Sequence, residues 1–102
     1  MQVLVRLAKR SMISPTASDE MLAILLLQHY DEGIPAKLPE GVRVAHKTGW
    51  NDKLYHDAAI VYPPQHTPYV VVIMTSGLSE KEAAPILVAA LSHEIYHQWI
   101  AQ

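Results

Sequence analysis

The middle of the chain decides its fold: residues 41–50 read GVRVAHKTGW. Alternate side chains in this stretch repeat with the period of two that is typical of a β-strand. We predict a strand over residues 41–48, followed by a polar, turn-like loop over residues 49–56. Its two faces are predicted to carry Val42, Val44 and His46 on one side and Arg43, Ala45 and Lys47 on the other.

Two further segments have the composition of strands. Residues 57–62 read DAAIVY and stop at a Pro-Pro pair, while residues 69–75 read YVVVIMT. The second of these is nearly all apolar and rich in β-branched side chains, which predicts a strand buried on both faces. Because the links between the three strands are short, we predict an antiparallel meander.

Helical signals come before and after the strands. Residues 1–10 have the apolar spacing of a short amphipathic helix, and Ser14 and Pro15 supply the N-cap and first-turn proline of a second helix. Residues 79–82 read SEKE, a capping box that predicts a last helix running to about Trp99. The order α-α-β-β-β-α predicts an α+β fold, a three-stranded antiparallel sheet with flanking helices.

Composition limits the possible functions. The 102 residues carry eight Lys and Arg against ten Asp and Glu, a formal net charge of −2, which predicts no basic surface for nucleic acid. The sequence has no cysteine, no apolar run near the roughly 20 residues that span a bilayer, and no ordered signal peptide. We expect no nucleic-acid or membrane partner and, for the chain as written, a cytoplasmic location.

The last predicted helix carries a second motif, HEIYH over residues 93–97, which matches the His-Glu-x-x-His signature of zinc proteases. Catalytic zinc needs a third protein ligand, and only five residues follow His97. The histidines are predicted to face solvent, opposite an apolar stripe of Ala84, Leu87, Val88, Leu91, Ile95 and Trp99. We predict no metal site and no cofactor, with His93 and His97 as the only candidate ligands.

Other polar residues near the central strand have structural and functional interpretations. His46 is predicted to pack beneath the strand, the alternative being a proton shuttle beside Lys47. Asp57 is predicted to accept backbone hydrogen bonds, the alternative being a catalytic dyad with His56. For Trp50, stacking on a ligand and covering a cleft both stay open.

The segments follow one another as they do in a known family. The motif SPxxSxxMLxILxxQ spans residues 14–28, IPxxLPxGVxVAHKTG spans residues 34–49, HDAAIV spans residues 56–61, and the third strand follows at residues 69–77. In this order they resemble the C-terminal part of a class A β-lactamase-type, penicillin-recognising serine hydrolase. The resemblance implies that residues 1–102 form a single partial domain of the β-lactamase/transpeptidase-like fold, in a family whose members are usually exported.

The resemblance also implies roles for four residues. Lys47 would place a positive charge near the substrate carboxylate, and the Thr48 hydroxyl would donate to the same group. Gly49 would let the substrate approach the strand closely, and the Trp50 backbone N–H would be one of two oxyanion donors. The implied substrate is a β-lactam or an acyl peptide.

The nucleophile of that family is missing from the sequence. No serine is followed three positions later by lysine, and neither Ser-Asp-Asn nor Glu-x-x-x-Asn occurs. Acyl-enzyme chemistry requires a nucleophile, so we expect no catalytic residue here and no activity unless an N-terminal half complements the chain; whether it is an enzyme stays open. The alternative is a non-enzymatic module that self-associates through unpaired strand edges, as a homo-oligomer or a domain-swapped dimer.

Overall fold

The order of the elements agrees with the prediction. The computed structural model describes residues 2–27, 32–50, 54–77 and 83–101. Within them lie three helices and three strands: α1 (Gln2–Ala8), α2 (Pro15–Leu26), β1 (Arg43–Trp50), β2 (Leu54–Tyr62), β3 (Tyr69–Ser76) and α3 (Ala83–Ile100). None of the helices in these ranges is long and apolar enough to cross a membrane.

The three strands form the predicted antiparallel meander, in the order β1-β2-β3. The strand bounds differ from the prediction around the first hairpin. Gly49 pairs with His56 and Trp50 with Tyr55, so the described parts of the predicted loop over residues 49–56 belong to strands. Ladder pairing with a neighbouring strand outweighs the low strand preference of Gly and of polar side chains.

The sheet has a hydrophobic core on each face, so the molecule has three layers. On one face, α3 covers Tyr55, Ala59 and Val61 of β2 together with Tyr69 and Ile73 of β3, a group that Ile34 joins from the segment before β1. On the other face, Leu7 of α1 packs with Ala45 and Ile60, and the apolar side of α2 closes this second core. Both faces of the sheet therefore pack against helices, and alternate side chains of β1 belong to opposite cores.

The turn between α1 and α2 is held by the serines that the sequence places there. The Ser14 hydroxyl accepts a hydrogen bond from the Ala17 N–H, which confirms it as the N-cap of α2. Ser18 is fully buried, and its hydroxyl both donates to the Met12 carbonyl and accepts from the Met12 N–H. These bonds hold the turn between α1 and α2 in place.

The predicted apolar stripe of α3 is wrong in part. Leu87, Leu91 and Ile95 stay 43%, 44% and 37% exposed. The helix instead buries a face of small and polar residues together with one valine: Ala84, Val88, Ala89, Ser92 and Tyr96. Small side chains let the helix approach the sheet closely, so a count of large apolar residues places the buried face too far round the helix.

The start of α3 shows how a proline is accommodated. Within the described residues the helix begins at Ala83, so Pro85 lies in the first described turn, where a missing N–H is tolerated. The predicted capping box at residues 79–82 lies outside the described residues.

Candidate functional site

The Lys-Thr-Gly motif lies at the end of β1, on a strand that pairs with β2 alone among the described strands. Lys47, Gly49 and Trp50 are exposed, while Thr48 is only 7% exposed. Trp50 is 59% exposed, so it is accessible at this edge of the sheet. The motif therefore presents a cation, a glycine and an aromatic ring at an accessible sheet edge.

The strand is open above Gly49. A methyl group built on this glycine would meet no atom of the described residues within 4 Å. Because side chains alternate along a strand, Gly49 shares its face with Lys47 and, across the ladder, with His56. A ligand lying here would contact backbone directly, next to a lysine ammonium group.

The other face of the motif is anchored by a buried carboxylate. Asp57 is fully buried directly opposite Thr48, and its Oδ1 lies 3.4 Å from the Thr48 hydroxyl that donates to it. The same Oδ1 lies 3.5 Å from Nδ1 of His46, which is 2% exposed. The prediction that His46 packs beneath the strand is confirmed, and Asp57 links the two inward-facing residues of the motif strand.

Asp57 also holds the segment that precedes β1. Its Oδ2 accepts a hydrogen bond of 2.8 Å from the Ile34 N–H, which confirms the prediction of a backbone partner. A Cβ on Gly33 would lie 2.5 Å from that same oxygen and 2.8 Å from the Tyr55 hydroxyl, so only glycine fits this close approach. On the opposite side, the Ser92 hydroxyl donates to the Ile34 carbonyl at 2.8 Å. The sequence contains no signal for this anchor, because its partners lie 23 and 58 residues away from Ile34.

The alternative of a His56–Asp57 dyad is wrong. Neighbouring residues of a strand point to opposite faces, so the two side chains lie on opposite sides of the sheet. The histidine next to the Asp57 carboxylate is His46 on β1, and Asp57 itself is fully buried.

Alkaline pH is expected to destabilise the protein through two buried tyrosines. Burial, with a further contribution from the Asp57 charge, raises the pKa of Tyr55 to about 12. Burial likewise raises the pKa of Tyr69 to about 12. Tyrosines of the unfolded chain ionise near pH 10, so the unfolded state loses protons first and the free energy of unfolding falls as pH rises from about 10 to about 12.

Urea unfolding at about pH 8 and about pH 11 measures this loss. We expect the free energy of unfolding to fall by up to about 1.4 kcal/mol for each tyrosine, because pH 11 lies about one pH unit above the pKa of tyrosine in the unfolded chain. The double variant Tyr55→Phe/Tyr69→Phe should lose clearly less stability over the same interval. An equal loss in the double variant would assign the alkaline effect to other groups.

An open pocket of about 630 Å³ borders the first half of β1. It is lined by the end of α2, the turn at residues 35–36 and the strand positions Val42, Arg43, Val44 and His46. The motif residues from Lys47 to Trp50 lie further along the strand and do not line it.

Comparison with known proteins settles the family. A model of the beta-lactamase enzyme family matches residues 1–99. The chain belongs to the beta-lactamase enzyme family. No protein with a curated description matches the sequence.

Solved structures of this family have the same fold. PBP-A superposes on 98% of the chain with a TM-score of 0.88 at 24% identity. A class A beta-lactamase from Mycobacterium abscessus superposes on 95% with a TM-score of 0.84 at 25% identity. A beta-lactamase from Sphaerobacter thermophilus covers 97% with a TM-score of 0.88 at 23% identity. In each case the match spans 38% of the other protein, so the chain corresponds to well under half of these relatives.

Four serines of this family member form hydrogen bonds with backbone groups. Ser14 caps α2, Ser18 bonds the Met12 backbone, and Ser92 donates to the Ile34 carbonyl. Ser11, which is exposed, donates to the Arg6 carbonyl. A nucleophilic serine needs a neighbouring base to take its proton, and in these four bonds the partner is a backbone group.

Proposed function

We propose that this chain supplies the substrate-binding strand of a β-lactam-hydrolysing serine enzyme and that the nucleophile comes from outside these 102 residues. The observation that carries the proposal is the end of β1, where Lys47, Gly49 and Trp50 are exposed at an accessible strand edge. Membership of the family supports a β-lactam or a related acyl compound as the ligand.

The division of labour on the strand follows from its two faces. Lys47 and Gly49 belong to the face on which a carboxylate-bearing ligand would lie, and the lysine charge would bind the carboxylate. Thr48 points inward and is held by Asp57. Its hydrogen bond of 3.4 Å is long and therefore weak. Because Thr48 is only 7% exposed and lies on the face opposite Lys47 and Gly49, its role in this proposal is to hold the strand, while Lys47 binds the ligand carboxylate.

The reaction of the assembled enzyme would be acyl transfer. A serine hydroxyl attacks the lactam carbonyl carbon, the carbon–nitrogen bond breaks, and the nitrogen takes up a proton. Water then hydrolyses the resulting ester. The Trp50 backbone N–H would stabilise the oxyanion in both steps.

Ligand binding by the isolated chain tests the strand directly. We expect a penicillin to shift the amide NMR signals of residues 47–50 and to quench the exposed Trp50 fluorescence in a saturable manner. Lys47→Ala should weaken this binding at least about fivefold, since it removes a charge-assisted hydrogen bond. The matched control is Lys37→Ala, which removes an exposed lysine away from the strand. Equal binding by both variants would contradict the proposed role of Lys47.

Gly49→Val separates binding from folding. The open space above Gly49 predicts that valine is accommodated, and a β-branched residue is favoured in a strand. The free energy of unfolding, measured by thermal unfolding, should therefore stay within about 0.5 kcal/mol of that of the wild type. Penicillin binding, in contrast, should be lost. Retained binding in a folded Gly49→Val protein would show that the ligand does not lie on this strand.

A second candidate function is self-association with another copy of the chain. The apolar flank of α3 formed by Leu87, Leu91 and Ile95 is exposed, and within the described residues β1 and β3 each pair on one side only. Exposed apolar side chains and unpaired strand edges both favour association. A homodimer, including one that exchanges elements between copies, would bury them.

Sedimentation velocity over a range of concentrations tests this candidate. We expect a concentration-dependent dimer that Leu91→Glu converts to monomer, because a charge would be desolvated in the interface. Ile86→Glu is the matched control, since Ile86 is exposed on a different part of the helix surface. A wild-type chain that stays monomeric at all concentrations would contradict self-association through this flank.

A further inference from the structure

The two histidine rings of the HEIYH motif lie close together on α3. Their Nε2 atoms lie 3.1 Å apart, and the ring centroids are 4.3 Å apart at an interplanar angle of 62°. As they stand, one Nε2–H donates to the lone pair of the other ring. If both rings carry their proton on Nδ1 instead, two Nε2 lone pairs lie 3.1 Å apart at an exposed position and can act as ligands.

This spacing fits a transition-metal ion. With metal–nitrogen bonds of about 2.05 Å, two nitrogens at the observed separation subtend an angle of about 98° at the ion. That angle falls between the roughly 90° of octahedral or square-planar sites and the roughly 109° of a tetrahedral site. Small changes in the two side-chain torsions would reach either geometry.

The helix keeps this arrangement in place. His93 and His97 are one turn apart on α3, whose backbone holds their separation. The His97 ring also packs edge-on against the buried Tyr96, with centroids 5.7 Å apart at 87°. The pair lies in the C-terminal part of the helix, where a cation is favoured by the helix dipole.

We propose that His93 and His97 form a two-histidine binding site for a divalent late transition-metal ion such as Zn²⁺, with water in the remaining positions. No group of three or more His, Cys, Asp or Glu within the described ranges is placed to hold a metal. Catalytic zinc takes three protein ligands. The site would therefore bind a metal ion without catalysing a reaction, and the bound ion would stabilise the last turns of α3. Its ligand set does not match that of a zinc protease.

Zinc titration calorimetry on the untagged chain tests the site. We expect one Zn²⁺ per chain, with an affinity that falls at least about tenfold in His93→Ala and in His97→Ala, because losing even an outer-shell partner of a ligand costs about 10–100-fold. His66→Ala is the matched control, since His66 is an exposed histidine on a turn, with Nδ1 2.9 Å from the Pro64 carbonyl. It should leave the affinity unchanged.

A second variant tests the spacing while the number of histidines is kept. His97→Ala/Gln98→His moves one ring about 100° round the helix, and it should bind zinc as poorly as His97→Ala. Zinc should also raise the melting temperature of the wild type and leave that of this double variant unchanged, by mass action on the folded state. Unaltered zinc affinity in either single variant, in the spacing variant, or one ion per two chains would overturn the proposal.

Discussion

Replacing Asp57 by alanine is expected to lower the free energy of unfolding by about 3–5 kcal/mol. The carboxylate is fully buried, and it accepts hydrogen bonds from the Ile34 N–H and the Thr48 hydroxyl. Its removal leaves both donors buried without their acceptor, at about 1–3 kcal/mol each, and adds a cavity. A domain of this size has a total stability of about 5–15 kcal/mol, so urea unfolding should show a large shift of the midpoint.

Two milder variants separate hydrogen bonding from volume. Asp57→Asn keeps the shape and one acceptor oxygen for the Ile34 N–H, and it should cost only about 1–2 kcal/mol. Thr48→Val removes the weak hydroxyl bond alone and should cost less than about 1 kcal/mol. If Asp57→Ala cost no more than Thr48→Val, Asp57 would not be the anchor that joins the motif strand to the segment before it.

Hydrolysis that appears only after complementation is the second large effect. We expect the chain alone to leave a chromogenic cephalosporin intact. Mixed with the portion of the Mycobacterium abscessus class A beta-lactamase that lies outside its match to this chain, it should form a complex and hydrolyse the compound. Within that complex, Lys47→Ala should lower the rate by about 10²–10³-fold, a loss of the size caused by removing one preorganised donor from an active site.

Two controls test separately the nucleophile of the added portion and the lysine of this chain. The complex should lose all hydrolysis when the nucleophilic serine of the added portion is replaced by alanine. Lys37→Ala in this chain should leave the rate unchanged, as Lys37 lies in the turn before β1. A complex that forms but hydrolyses nothing, or one in which Lys47→Ala is as fast as the wild type, would contradict the role of β1 in catalysis.

The sequence was sufficient for the elements and their order because local signals agree with the tertiary structure. Ser14 caps the helix that it predicts, and the alternation in β1 matches two cores on opposite faces of the sheet. The end of the first hairpin was harder to predict. Gly49 has a low strand preference and interrupts the pattern of β1, and the strand conformation of Gly49 and Trp50 comes with their pairing to His56 and Tyr55.

Two features of the structure depend on contacts between distant residues. The buried face of α3 is set by Ala89 and Ser92, small residues that allow a close approach and a hydrogen bond to Ile34. The bond between Asp57 and Ile34 joins residues from separate segments, and its space requirement at Gly33 is invisible in a pattern of apolar residues. By contrast, the Lys-Thr-Gly motif is local, so its position at the end of a strand could be predicted directly.

The most direct test of the central proposal is the intact mass of each polypeptide after incubation with a penicillin. We expect this chain to keep its unmodified mass, both alone and in the complemented complex. The penicilloyl adduct should instead appear on the added portion, where we expect the nucleophilic serine, and its formation should slow when Lys47 is replaced by alanine. A covalent adduct on a serine of this chain would contradict the proposal that the nucleophile lies outside it.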